Sequence, residues 1–416
     1  MNNSGMENFL KLFWGFLINN VGSYFLLISL SIHTFMTTES TSFSSWPLVI
    51  HWVPGPFLFF FTSSIIDKFR TQRIISLSCF FSGFATLALL YFVKAMSWPF
   101  FLLLFLRSLG HNMTNSLKPV TMKTCIAEKE RARFAPFVQV GGYLGMAISG
   151  VLALIFVKKF GIEKAIIFDA ITFFASAIIF LTVKGNKKSN QPSEGKEKFY
   201  YSLVQPFKVI VGNTNLLEAN IMLFLISVFL QGSYDFAINF LPQQKWNIGE
   251  QGVGILFVVM AMAVAIGATI YRNYTSKYMS DTLSLDHLPI ILFTSTNYFL
   301  FTQIDNIYGA IPFFFFVIGF ENLFIHHLMG LIKYCPEEEI AKVSMIQGSI
   351  CKALMGGMVF ILGYGSEILD VSICLNIANL CFLSLSLLAI LVTVYRSFST
   401  QKVLQNIERA TRLNQI

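Results

Sequence analysis

Residues 9–35 read FLKLFWGFLINNVGSYFLLISLSIHTF, an unbroken apolar run whose one basic residue besides a histidine is Lys11, near its start. A helix needs about 20 predominantly apolar residues to cross the hydrocarbon of a bilayer, and this run exceeds that length. It is too long for a secretory signal peptide and lacks a small-residue cleavage site, so it reads as a retained first span. Working outward, twelve candidate spans recur at 9–35, 46–66, 74–94, 99–120, 134–157, 164–183, 216–240, 251–271, 287–303, 307–332, 343–363 and 369–395. In lipid only helices and closed barrels satisfy every backbone polar group. These runs lack the alternation of barrel strands, so they read as helices, and the chain as an all-α polytopic membrane protein.

Composition agrees. A soluble domain has about a quarter of its residues charged. Here 12% are charged and 55% hydrophobic, with a mean hydropathy of +0.63, so most of the surface faces lipid. The net charge of +8 raises nucleic acid as a partner. The cations, however, lie between spans as topogenic charges do and form no basic stripe, so no nucleic-acid partner is expected. The six cysteines include no CxxC pair and sit mostly in apolar runs, which suits buried free thiols.

With the N-terminus cytoplasmic, 23 of the 30 Lys and Arg residues fall on the cytoplasmic side. Lys94, Lys158, Lys159, Lys164 and Lys245 fall opposite, and Arg107 and Lys352 lie inside spans. The bias predicts both termini inside. The stretch KGNKKSNQPSEGKEK (184–198) is the one low-complexity segment and divides the spans six and six. The expected organisation is a six-helix bundle at 1–183, a linker at 184–215, a second bundle at 216–395 and a tail at 396–416. After the linker, Phe199, Leu203, Phe207, Ile210 and Val211 recur at helical spacing. They suit either an interfacial helix or an extension of span seven. EKERAR (128–133) before span five has a counterpart in EEEIAK (337–342) before span eleven, a faint repeat relating the halves.

The loop between spans two and three, SSIIDKFRTQR (63–73), resembles the major facilitator signature G-x-x-x-D-R/K-x-G-R/K-R/K. It keeps Asp67, Lys68 and the closing Arg73, while Ser63 replaces the first glycine and Arg70-Thr71-Gln72 departs from the pattern. Span one, span four with its loop (LFLRSLGHNMTNSLKPVTMKTCIAEKERARF), span six (IIFDAITFFASAIIFL) and FLPQQKWNIGEQGVGILF after span seven resemble the enterobactin-exporter and macrolide-efflux-like branch. The resemblance implies the twelve-helix major facilitator fold and a monomeric inner-membrane carrier. It further implies a conformational latch at Asp67, Lys68 and Arg73, and export of a siderophore-like or drug-like solute with protons as coupling ion. Gly141, Gly142, Gly145 and Gly150 are similar to a glycine-rich antiporter motif, but Met146 stands where that motif has proline, and close helix packing also explains them.

An ionisable group at bilayer depth is costly unless paired or hydrated, so each is a functional candidate. Arg107 suits contact with a substrate anion, proton-linked switching or a structural ion pair, and His111 follows on the same helix face. Asp235 lies toward the non-cytoplasmic end of span seven, as proton carrier or interfacial residue. Glu321 and Lys352 sit at comparable depth, where a pair between them suits either a functional or a purely structural role. Asp169 is expected near an end of span six in a structural role, and Asn19, Asn20 and Gln139 are expected to line a polar cavity. The lining suits an amphipathic or anionic solute. No P-loop, HExxH or Cys/His cluster occurs, and His326-His327 alone is a faint metal signal. No cofactor, metal or catalytic residue is therefore expected, and the expected partners are a small-molecule substrate, protons and membrane lipid. An importer of the same fold, a membrane sensor and an intramembrane enzyme are the rival readings.

Overall fold

The structure, a computed structural model, describes residues 3–413 apart from 39, 56, 59–69, 95, 127, 185–198, 281 and 337. The described residues form helices joined by turns, with no strand among them. In the first half these are α1 (Asn3–Thr38), α2 (Thr41–Trp52), α3 (Thr71–Leu89), α4 (Trp98–Ser116), the short α5 (Lys118–Cys125) and α6 (Glu128–Leu181). In the second half come α7 (Phe199–Gly212) and α8 (Thr214–Leu225), the latter running through a π turn (Ile226–Gln231) into α9 (Gly232–Gln244). They are followed by α10 (Gly249–Ile270), α11 (Leu288–Gln303), α12 (Ala310–Tyr334), α13 (Ile340–Ile368) and α14 (Val371–Leu413).

Eight stretches of the described residues are helical, long and apolar enough to cross a membrane. Four more, α2, α4, the first arm of α6 and α11, occupy positions two, four, five and nine of the expected series, so the layout agrees with twelve spans in two halves. Large apolar side chains such as Leu77, Phe84, Ile171, Leu380 and Leu391 are exposed, as lipid-facing positions require.

Local chemistry sets the breaks. Spans five and six are the two arms of α6, interrupted at Gly161, whose φ of 75° suits a residue without a Cβ. The segment after the linker is a helix of its own and not an extension of span seven. Asn213 separates α7 from α8 by accepting the Leu216 N–H on its side chain at 3.2 Å, an N-cap that starts a new helix. The final helix continues past the predicted end of span twelve to Leu413.

The halves meet closely at one end. Ser40 caps α2, and Glu367 near the end of α13 accepts hydrogen bonds from Ser40 Oγ (2.7 Å) and Ser42 N–H (3.1 Å). Below this contact Trp46 meets Phe360 edge-on at 5.7 Å, and α13 lies so close to α2 that a Cβ on Gly356 would stand 3.2 Å from Val53. Phe35 of α1 and Phe240 of α9 close the same end, 6.4 Å apart.

The glycines of span five pack. A Cβ on Gly141 would meet the Phe13 ring at 2.8 Å, one on Gly145 would meet Leu17 O at 2.9 Å, and one on Gly150 would enter the Phe257 ring of α10. They bring α6 against α1 and against the second half. Gly145→Val is expected to force α1 and α6 apart and cost about 1–3 kcal/mol, read as a lower unfolding temperature in detergent. An unchanged unfolding temperature would refute the close-packing role.

Candidate functional site

Between the two halves lies a cavity of about 260 Å³. The first half lines it with the middle of α1, the ends of α2 and α4, α5 and α6. The second half contributes α8 with its π turn, α12 and α13. Its walls are largely apolar, with Met146, Leu223, Phe324, Leu328 and Met355 among them, and its polar groups are few.

Two of those groups are lysines. Lys352 on α13 crosses to the first half, donating from Nζ to Ser116 Oγ at 3.1 Å and Asn112 O at 3.4 Å. Lys118 opens α5, is 7% exposed, and holds its ammonium 5.3 Å from the centre of the Phe16 ring. Gly142 makes room for it: a Cβ there would lie 2.9 Å from Asn20 Nδ2 and 3.2 Å from Lys118 Nζ. The lining also holds the amides of Asn20, Asn115, Gln231 and Gln347, and no carboxylate among the described residues. Glu321 is not part of that lining.

Behind the α4 wall runs a polar network that does not reach the cavity lining except at Asn115. Asn115 Nδ2 donates to His111 Nε2 at 2.8 Å, which leaves the Nδ1 proton of His111 for Asn19 Oδ1 (3.0 Å) and Ser23 Oγ (2.8 Å). One turn earlier on α4, Arg107 is fully buried, bonds Asp169 Oδ2 through Nε at 2.8 Å and Ser23 O through Nη2 at 3.1 Å, and lies 5.2 Å over the Phe173 ring. Thr86 Oγ1 approaches the same carboxylate oxygen at 3.3 Å. Of the roles open to Arg107, the one with a counterpart in this geometry is the buried ion pair. Asp169, expected near an end of span six, is wholly buried as its partner.

The remaining candidates separate. The Glu321–Lys352 pair is not formed, because Lys352 is committed to α4, and Glu321 is buried where a Cβ on Gly267 would meet it at 3.2 Å. Asp235 lies under the cavity. Tyr24, Trp52 and Met146 line both the cavity and a second void of about 10 Å³, and Asp235 and Asn239 line only the latter. Its Oδ2 has no hydrogen-bond partner. Arg73 is exposed at the start of α3. Asp67, Lys68 and the side chain of Gln139 lie outside the described residues.

Lys118, in the last turn of the expected span four, continues the polar character of His111, Asn112 and Asn115 but is counted with the cytoplasmic cations and is not among the expected site residues. The available signal was its place in the series His111, Asn115, Lys118, spaced four and three residues apart along one helix face. His51, fully buried with its ring centre 5.0 Å from that of His111, carried no such signal.

The family model described as Major Facilitator Superfamily matches residues 12–361. No curated protein matches the sequence. Among solved structures, the POT family transporter PepTSo superposes with a TM-score of 0.67 at 10% identity, covering 95% of this chain and 98% of its own. The human organic anion transporter MFSD10 (TETRAN) gives 0.65 at 12% identity, covering 93% and 99%, and the nucleoside transporter NupG 0.62 at 10%, also covering 93% and 99%. At such identities the likeness is one of fold.

Removing one partner of a buried ion pair strands the other charge, at a cost of about 3–5 kcal/mol, whereas replacing both by apolar groups is often near neutral. Arg107→Leu and Asp169→Leu are each expected to lower yield and thermal stability sharply, and the R107L/D169L double variant to recover most of the loss. A double variant no more stable than either single would argue that the pair is not a self-contained structural unit.

Proposed function

The chain belongs to the Major Facilitator Superfamily, a family of membrane transporters rather than enzymes, and from that premise we propose that it is a secondary carrier of small amphipathic organic anions. The observation that carries this reading is the pairing of Lys118 with Lys352 in a largely apolar, amide-dotted cavity between the halves, with no acidic residue in its described lining. Ammonium groups without a carboxylate partner in the lining supply the charge for an anionic head, and the methionine and phenylalanine walls suit an apolar body.

The carrier works by alternating access. Residues 1–183 and 216–395 rock as two six-helix bundles about the cavity, joined by the 184–215 linker, with 396–416 as a cytoplasmic tail. The Glu367–Ser40 contact and the α2–α13 packing close one end. The lining runs from Tyr24 and Trp52 toward Met122, Leu331 and Ser344, the end where the basic loops lie. Taking that end as cytoplasmic by the positive-inside bias, this is the inward-facing state of an inner-membrane protein with both termini inside. Asp235, under the Tyr24–Trp52 floor with an unpartnered oxygen, is the candidate proton carrier. Export of a siderophore-like or drug-like anion is supported by the likeness of spans one, four and six to the efflux branch.

The direct test compares culture supernatants and cell extracts of a deletion strain and its complemented parent by mass spectrometry, with and without iron. An organic anion missing from the deletion supernatant and retained in the cells is expected. Its accumulation outside the deletion strain would reverse the direction to import, and a cationic compound would overturn the anion reading. In proteoliposomes Lys118→Gln and Lys352→Gln are each expected to weaken binding of that anion about 10- to 100-fold, the worth of one charge-assisted hydrogen bond. Asp235→Asn is expected to keep substrate exchange while losing the response to an imposed pH gradient, and an intact response would remove Asp235 from coupling.

A further inference from the structure

Away from the central cavity, three histidines converge where the loop between α10 and α11 folds over the end of α12. His287 closes the turn before α11, and His326 and His327 are adjacent on α12. All three are buried, with exposures of 0%, 6% and 4%. Their ring centres form a nearly equilateral triangle, 5.1 Å for His287–His326, 5.2 Å for His326–His327 and 5.4 Å for His287–His327. One nitrogen from each ring lies within 4.8 Å of the other two.

We propose that His287, His326 and His327 form a binding site for one divalent transition cation of the Zn²⁺ type, which pins the α10–α11 loop to α12. Three imidazoles on a tetrahedral ion, with metal–nitrogen bonds of about 2.1 Å, place their ring centres about 5.3 Å apart, and the observed triangle falls within about 0.2 Å of that. Nε2 of His287 and Nε2 of His327 are buried without a hydrogen-bond partner, which a coordinated ion explains. Nε2–H of His326 donates to Ser280 O at 3.1 Å, leaving Nδ1 as its lone-pair nitrogen. A backbone carbonyl holding the far ring nitrogen is the usual outer partner of a metal-bound histidine.

The donor set selects the ion. Neutral imidazoles favour Zn²⁺, Cu²⁺ or Ni²⁺ over Mg²⁺ and Ca²⁺, which seek oxygen ligands. The Ser284 N–H donates to His287 Nδ1 over a long 3.3 Å. Binding through Nε2 moves the ring proton to Nδ1 and releases that bond, with no net proton lost. Asp286 beside the site offsets part of the added charge, and Glu218 ties the same loop through the Leu283 N–H at 2.9 Å. Three protein ligands leave a fourth position for water.

The test uses the full chain, purified in detergent through a tag without histidine, stripped with chelator and dialysed against Zn²⁺, Co²⁺ or Mg²⁺. Expected are one Zn²⁺ per chain by elemental mass spectrometry, no retained Mg²⁺, an intense tetrahedral Co²⁺ absorption band, and a higher unfolding temperature with Zn²⁺. His287→Gln and the H326Q/H327Q double variant, checked for folding by size exclusion, should each lose the metal, the Co²⁺ band and the thermal shift. Should either variant misfold, the stoichiometry and Co²⁺ spectrum of the unaltered chain decide. Uptake well below one ion per chain, an octahedral Co²⁺ spectrum, or metal retained in folded His287→Gln would overturn the site.

Discussion

No water is available within the hydrocarbon of a bilayer, so a polar group there must find its partner inside the protein. That constraint organises this molecule. Most hydroxyls and amides of the spans turn back on their own helix: Ser29 Oγ donates to Phe25 O, Thr114 Oγ1 to Gly110 O and Asn220 Nδ2 to Leu216 O. What this local route cannot satisfy has to be shared between helices. The Arg107–Asp169 pair is the strongest instance, since it joins α4 to the second arm of α6 and, through Ser23 O, to α1. The His111, Asn19 and Asn115 bonds extend the same seam toward the centre of the molecule.

The constraint also sorts the intramembrane charges by role. Arg107 meets an opposite charge within the bundle. Lys352 meets only a hydroxyl and a carbonyl, and Lys118 packs over an aromatic ring. Both border the cavity between the halves. Close packing at the Glu367 end and open volume toward the basic end are two faces of one arrangement: α13 touches α2 at Gly356 and Gly363, then carries Lys352 and Gln347 into the cavity wall.

Much of the fold was legible because hydropathy is carried by each segment alone. The spans, the break between five and six, and the packing role of Gly141, Gly145 and Gly150 follow from run length and small-residue spacing. The site was legible only in kind. Depth in apolar runs singled out Lys352 and Asn20, which line the cavity, and equally Arg107 and Glu321, which do not. Lys118, beyond the end of α4, looked like a loop charge because a chain profile does not register α5 folding inward over Phe16.

The sequence by itself determined that this chain crosses the membrane as helices, where the spans fall, and that charges are held at depth. Only the tertiary structure decided which charges are paired and which face an open space. A helix exposes several faces, and the face that meets a neighbour depends on contacts between distant residues. Arg107 finds Asp169 62 positions away, Lys352 reaches Ser116 across 236, and His287 joins His326 and His327 from another loop. Hydrophobicity is a property of each segment, whereas pairing and cavities belong to helices once packed, and the chemistry of this protein lies in the second.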